Sequence, residues 1–331
     1  MINCQMELFG LRGSWLKRTV AFLEANDLKY EGGADYTVLL LDENDEIVGT
    51  GSLCGNVLKY IAVDDAIQGE GGAASIVSGL VKYAYSLGRS KLFLFTKPKN
   101  ENLFKSLGFY PMVTTKSVVY MENSRNGLEG FLASMQKGKG VQGAIVANCN
   151  PFTNGHRYLM EKAAGEVDTL HVFVVSRDSS EFSFKERFEL VREGTKDIKN
   201  LILHESGDYM VSYATFPTYF IKDSASAEQV NVELDLMLFA KRIAPALNIT
   251  KRFVGTEPYC KVTNAYNSAM KQILPEYGIE VIEIERIGGI SASAVRRCMS
   301  DGNLEGINAL VPETTFEHIR EKMNNAARYD K

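Results

Sequence analysis

Two polar clusters in this chain carry the residue types that handle phosphate. The first is Thr153-Asn154-Gly155-His156, in the stretch CNPFTNGHRYLMEKAA that follows the apolar run GAIVA. At a helix start the first backbone N–H groups lack intrahelical partners, and the helix dipole favours an anion there. Gly155 keeps the backbone approachable where a side chain would collide with a nucleotide. His156 can donate to a phosphoryl group as charge builds on it. The second cluster, Ile290-Ser291-Ala292-Ser293-Ala294-Val295-Arg296, follows two glycines and opens another helix-like stretch. Its serines can cap that helix or bind phosphate, and Arg296 lies one turn on, within reach of the same anion. Each cluster taken alone also suits an ordinary capped turn with a surface histidine or arginine beside it.

The elements that must position these clusters read as a doubly wound parallel sheet. GAIVA, HVFVV (171–175) and KRFVG (251–255) have the continuous apolar character of buried parallel strands, and IEVIEIER (279–286) is a further strand with alternation. Helical stretches such as FKERFELVREGT (184–195) lie between them. Ligands of such sheets bind at the carboxyl ends of the strands, and both clusters fall at that kind of position.

The first third of the chain reads differently. Strand-like runs at 36–41, 46–54 and 57–63 are separated by the turn-forming DEND and GN. QGEGGAASIVSGLVKYAYSLG then places Ile76, Val77, Leu80, Val81 and Ala84 at helical spacing. The strand KLFLF and a short helix, ENLFKSLG, closed by Gly108, follow. The order β-β-β-α-β-α, with glycines at the strand-to-helix corner, makes an anion site at that helix start. The polar ENSRNG marks a boundary, so the expected domains are 1–125 and 141–331. A connecting helix within 126–140 aligns Leu128, Phe131, Leu132 and Met135 on one face.

Length and composition fit a globular two-domain protein: 331 residues, 45% hydrophobic and 24% charged. A net charge of −4 gives no electrostatic footprint for nucleic acid or an anionic membrane, so neither is an expected partner. Five scattered cysteines without a C-x-x-C pair argue for a reducing compartment and against a zinc site. No apolar run of about 18 residues and no secretory leader is evident, and the expected location is the cytoplasm.

Three resemblances sharpen this reading. Gln68-x-x-Gly71-x-Ala73, with the later LFKSLGF, resembles the GNAT family of acyl-CoA-dependent acetyltransferases, whose pyrophosphate-binding signature the glycine corner matches. In many of those enzymes a tyrosine hydroxyl in the later motif protonates the leaving thiolate, and Phe104 stands in that place here. The pairing of T-x-G-H with I-S-x-S-x-x-R resembles the nucleotidyltransferase superfamily, which uses both motifs on ATP phosphates and attacks the α-phosphorus. NPFTNGHRYLMEKAA, FSFKERFELVREGT, VGTEPYC with TNAYN, and ISASAVRR, behind a GNAT-like domain, are together similar to the citrate lyase ligase family.

That last resemblance implies an AMP-forming ligase. Acetate and ATP would give acetyl-AMP and pyrophosphate, and the acetyl group would pass to the prosthetic-group thiol of citrate lyase's acyl carrier subunit. Alternatives are an adenylyltransferase acting on a phosphopantetheine-like phosphate and an inactive carrier-binding module. By resemblance Thr153, Gly155 and His156 belong to the ATP phosphate site, with His156 the leading catalytic residue alongside Thr153 and Arg296. Ser291, Ser293 and Arg296 would hold the β- and γ-phosphates, and Asn148, Asn150 and Phe152 would line the same loop. Gly255, Thr256 and Glu257, followed by Pro258, either contact the nucleoside or form a turn that starts a helix. Lys185 and Arg187 reach phosphates or sit as exposed helix charges, and His171, His204 and His318 are structural or surface residues. Mg²⁺ is expected with ATP, without a protein carboxylate cage. Gln68, Gly69, Gly71, Gly72 and Ala73 would receive the carrier's coenzyme A-like arm.

Overall fold

The computed structural model describes residues 2–176, 181–210, 219, 224–257 and 261–329. They group into two compact units, Met1–Gly130 with Tyr213–Leu234, and Phe131–Ser212 with Asp235–Lys331. The return of 213–234 to the first unit departs from the expected single span of 141–331. Its cause is long-range: the buried Tyr219 ring sits edge-on to Tyr60 at 5.0 Å, a contact with no local sequence signal.

The first unit holds seven strands in the order β1-β2-β3-β4-β5-β7-β6. These are β1 (Cys4–Phe9), β2 (Tyr36–Leu41), β3 (Ile47–Cys54), β4 (Val57–Val63), β5 (Phe93–Thr96), β6 (Tyr110–Thr114) and β7 (Val119–Glu122). Neighbours are antiparallel except β4 and β5, which run parallel and pair only at Val57↔Phe93 and Leu58↔Leu94 although both strands continue. Helices α1 (Gly13–Ala25), α2 (Gly72–Ser86) and α3 (Glu101–Ser106) complete this unit's main elements. The 3.6-residue spacing of α2 is realised: Ile76, Val77, Leu80 and Ala84 are buried against Val38, Leu40, Leu53 and Leu58. Edge strand β1 alternates exposed with half-buried positions, which is why its periodicity is faint in the sequence. Helix α4 (Gly127–Ser134) falls within the expected connecting segment, with Leu128 and Leu132 buried.

The second unit holds β8 (Gln142–Ala147), β9 (Thr169–Val174), β10 (Leu201–Glu205), β11 (Ile249–Gly255) and β12 (Glu280–Ile284). All four pairings are parallel, in the order β10-β9-β8-β11-β12. Counted along the chain this is 3-2-1-4-5, the doubly wound arrangement in which strand order reverses between the first and fourth strands. Its helices are α5 (Asn154–Ala164), α6 (Phe184–Gly194), α7 (Ser224–Leu238), which begins in the first unit, α8 (Ala244–Leu247), α9 (Lys261–Ile273), α10 (Ala292–Ser300), α11 (Leu304–Leu310) and α12 (Glu313–Tyr329). Ile145, Val172, Val174 and Phe253 form one core with Met160, Phe182, Val295 and Ile307. Elsewhere in this sheet Gln142, His171 and His204 form a buried polar chain. His171 Nε2 donates to Gln142 Oε1 at 2.6 Å, which leaves its Nδ1 to accept from His204 Nε2 at 2.8 Å. Burial lowers the pKa of each imidazole to about 4, so both are neutral near pH 7.

Candidate functional site

The switch point of the parallel sheet lies between β8 and β11, and the chain after each strand builds the site. After β8, Thr153 takes an extended conformation and caps α5, accepting the His156 N–H on Oγ1 at 3.3 Å. His156 answers: its Nδ1 accepts the Thr153 N–H at 3.1 Å and lies 2.9 Å from Thr153 Oγ1. An amide N–H can only donate, so Nδ1 is unprotonated and the ring hydrogen sits on Nε2. Burial, with the Arg286 cation adding to it, lowers the His156 pKa to about 4. His156 is therefore a neutral hydrogen-bond donor near pH 7, unsuited to acting as an imidazolium acid.

The second motif comes to the same place. Ser291 caps α10 by accepting the Ala294 N–H at 3.1 Å. A methyl group at Gly155 would lie 3.4 Å from Ile290 Cγ2 and 3.5 Å from the Ile290 carbonyl oxygen. The surface that Gly155 leaves open thus belongs to the opposite motif. Arg296 Nη1 donates to the Asn150 carbonyl and Nη2 to Ser293 Oγ at 3.2 Å, tying the first loop to α10. A hollow of about 100 Å³ is shared by Thr153, Gly155, His156, Gly255, Arg286 and Ile290. A wider groove of about 1100 Å³ includes Thr256, Glu257, Arg286, Ser291 and Ser293.

Three residues singled out in the sequence play other parts. The Phe152 side chain is wholly buried in the core, so it packs the loop from beneath and cannot line a nucleotide site. Asn150 Oδ1 accepts the Phe182 N–H at 3.2 Å. Arg187 is neither exposed nor turned to a phosphate: it is fully buried, and its Nη1 donates to Asn148 O and Oδ1 at 2.7 and 2.9 Å and to Val175 O at 2.8 Å. It holds the loop that carries Asn148, which is itself exposed. Lys185 is exposed, and Pro258 lies outside the described residues. His171 and His204 are structural, and His318 Nε2 meets Glu186 Oε1 at 3.1 Å.

Arg286 is the functional candidate that motif reading missed. It follows β12, borders both the hollow and the groove, and pairs with Glu257, Nη2 to Oε2 at 2.5 Å. The backbone sets its place, because Arg286 N donates to Thr256 Oγ1 at 3.1 Å and Thr256 N donates to Ile284 O at 3.0 Å. Its position just past a strand's carboxyl end was the available signal. Asn267 Nδ2 donates to Gly255 O at 3.1 Å and so fixes the end of β11.

In the first unit Gln68, Gly69, Gly71, Gly72 and Ala73 border a cavity of about 730 Å³, together with Lys97 and Lys99. Gly71 is the N-cap of α2 with φ +82 and no side-chain cap, a conformation that suits glycine. Gln68 bends back onto Asp65, donating from Nε2 to Oδ1. Among the described residues no group of three His, Cys, Asp or Glu side chains could hold a metal ion, and no helix is long and apolar enough to cross a membrane.

Fold and site together define a two-unit α/β protein: a first unit around a mixed seven-stranded sheet and a second, Rossmann-like unit with capped helix starts converging at the switch point of its parallel sheet. A family model for the citrate lyase ligase C-terminal domain matches residues 142–319, more than half of the chain. The chain is 43% identical to [citrate [pro-3S]-lyase] ligase of Klebsiella pneumoniae over 311 residues, covering 90% of each chain. It is 41% identical to that of Haemophilus influenzae over 330 residues, covering 96% of this chain and 98% of the relative. The chain belongs to the citrate lyase ligase family. Among solved structures, Escherichia coli ElaA is similar to 37% of this chain, over 100% of its own length, at TM-score 0.33 and 18% identity. Thermotoga maritima TmcAL bound with alpha-thio ATP is similar over 56% of each chain at TM-score 0.37 and 16% identity.

Proposed function

We propose that this chain is an AMP-forming ligase that activates acetate with ATP and acetylates the thiol of the citrate lyase acyl carrier subunit. In the first step an acetate oxygen attacks the α-phosphorus and the bond to the β-phosphate oxygen breaks, giving acetyl-AMP and pyrophosphate. In the second the carrier thiol attacks the acetyl carbon, the thioester forms, and AMP departs as the thiol proton passes to solvent. Pyrophosphate is a good leaving group, so positioning and charge stabilisation supply most of the rate.

The observation that carries this reading is the meeting of the two motifs at Gly155 and Ile290, beside the His156 donor and the Arg286 cation. His156 Nε2–H would donate to the α-phosphoryl oxygen, with Thr153 orienting the ring through Nδ1. The start of α10, with Ser291, Ser293 and Arg296, would face the β- and γ-phosphates. Gly255, Thr256 and Glu257 would border the nucleoside. Mg²⁺ neutralises polyphosphate charge when it accompanies ATP; the described side chains make no cage for it, so it would arrive on the nucleotide. The glycine corner of the first unit would receive the phosphorylated arm of the carrier's coenzyme A-like group.

Acetate-dependent exchange of labelled pyrophosphate into ATP tests the reading. Exchange that needs acetate and no carrier is the expected result. Exchange that ignores acetate and responds to a phosphopantetheine-like phosphate would replace it with an adenylyltransferase.

A further inference from the structure

The β8–β9 ladder ends where Ala147 O accepts the Val175 N–H at 3.1 Å. Beyond that point the two strands part, and their next carbonyls, Asn148 O and Val175 O, are taken by a side chain instead. Arg187 fills the gap from α6. It is wholly buried; Nη1 donates to Asn148 O at 2.7 Å and to Val175 O at 2.8 Å, and Nε donates to Phe182 O at 3.1 Å. The same Nη1 donates to Asn148 Oδ1 at 2.9 Å. A guanidinium has donors alone, so the amide atom that faces it is the oxygen, and the NH2 end of Asn148 is turned away.

That end is on offer. Asn148 is exposed, and among the described residues nothing accepts from its Nδ2. Cys149, next along, is buried and adopts φ +50, a left-handed conformation that non-glycine residues keep mostly where a chain binds or reacts. Turn and clasp together hold a neutral donor with two hydrogens at the carboxyl end of a strand beside the switch point. Asn148 borders neither the hollow nor the groove, whose walls come from the chain after β11 and β12 and from the starts of α5 and α10. Its link through Arg187 to Val175 places it on the β9 side of β8.

We propose that Asn148 receives the carboxylate of the acid substrate, and that Arg187 is the positioning residue that aims its amide. This rests on the ligase reading and adds which residue meets the second reactant; Asn148 then serves the acid and not the nucleotide. In-line displacement sets the attacking oxygen and the leaving pyrophosphate on opposite sides of the α-phosphorus. With the triphosphate toward α10, on the β11 side, the attack comes from the β9 side, where Asn148 stands. One carboxylate oxygen accepts an Nδ2 hydrogen, while the other forms the bond to phosphorus and the bond to the β-phosphate oxygen breaks. The amide keeps its hydrogens throughout. A neutral donor orients the carboxylate without neutralising it.

The test is exchange of labelled pyrophosphate into ATP by the full chain, with acetate and ATP varied separately. Asn148→Ala should raise the KM for acetate about tenfold, the loss of one hydrogen bond to a charged group, and leave that for ATP within about twofold. Asn148→Asp keeps the shape and the Arg187 contact but sets a carboxylate against the carboxylate, and should raise the acetate KM further. Arg187→Lys keeps the charge and loses the fork, and should raise the acetate KM about threefold. Placed on Asn148→Ala it should add nothing to the acetate KM, an outcome that general damage to the fold would not give. If the lysine variant folds poorly, the two variants of the exposed Asn148 decide. An acetate KM unchanged in both, or an ATP KM that rises as much, overturns the proposal and leaves the ligase reading standing. Wild-type exchange that ignores acetate removes both.

Discussion

The two strand-to-helix corners of this chain are built by different means. In the first unit α2 starts at Gly71, which has no side chain to offer, and the corner opens on a cavity of about 730 Å³. In the second, α5 and α10 start at Thr153 and Ser291, each hydroxyl accepting a helix N–H, and the hollow between them measures about 100 Å³. A backbone-lined corner accepts a long flexible ligand and asks only that nothing obstruct it. A corner lined by His156 and Arg286 offers fixed donors, the kind that meets charge developing during a reaction. Under the proposed function, holding would fall to the first unit and bond-making to the second.

Substitution should break that contrast most strongly at His156. His156→Ala removes the fixed Nε2 donor and is expected to lower kcat for acetate-dependent pyrophosphate exchange by roughly 10²- to 10³-fold, the usual loss for one such donor. A near-normal rate would take the residue out of its role. Arg286→Ala comes next, with an expected rise of about tenfold in the KM for ATP. Because the Glu257 carboxylate is only 8% exposed, that change also takes a cation away from a mostly buried carboxylate, and adding Glu257→Gln should restore stability but not ATP affinity. Restoration of the KM by the second change would show that Arg286 merely neutralises Glu257.

The contrast also explains what could be read from the sequence. The second corner was legible because it is built of side chains: Thr153, His156, Ser291 and Arg296 stand at fixed spacings just past apolar strands, and the doubly wound sheet brings their two loops together. Arg286 escaped because it belongs to neither spacing; its place depends on the Thr256 hydroxyl and on where β12 ends. Phe152 and Arg187 were misjudged for one reason, that sequence does not say which way a side chain turns. Phe152 turns into the core and Arg187 under the loop, where the Asn148 and Val175 carbonyls take its donors. The first corner showed its glycines but not Tyr219, which lies more than a hundred residues downstream and joins through tertiary packing alone.

Gly71→Ala tests the first corner with a smaller expected effect. A methyl there meets nothing within 4 Å, so its cost is the left-handed backbone alone, about 1 kcal/mol of stability measured by thermal melting. If this corner holds the carrier's arm, the KM for carrier should rise about threefold and more than that for ATP. An equal rise in both would tie the two corners to one ligand.

The smallest expected effect is on the pH profile near neutrality. With a pKa near 4, His156 carries no charge from about pH 6 to about pH 8, so exchange should show no inflection near the ordinary imidazole value of 6.5. Acid should instead act through stability. His171 and His204 titrate near 6.5 in the unfolded chain but near 4 when folded, so between those values the unfolded state binds more protons. Stability is therefore complete above about pH 6.5 and falls as the pH drops through that window, as the buried pair with Gln142 resists charging. Thermal melts from pH 7 to pH 4 should show this decline, and replacing His204 with Asn should lessen it while His171 and His156 keep the rest. A melting temperature that holds steady to pH 4 in wild type would mean that the imidazole chain accepts a proton without cost, contrary to its burial.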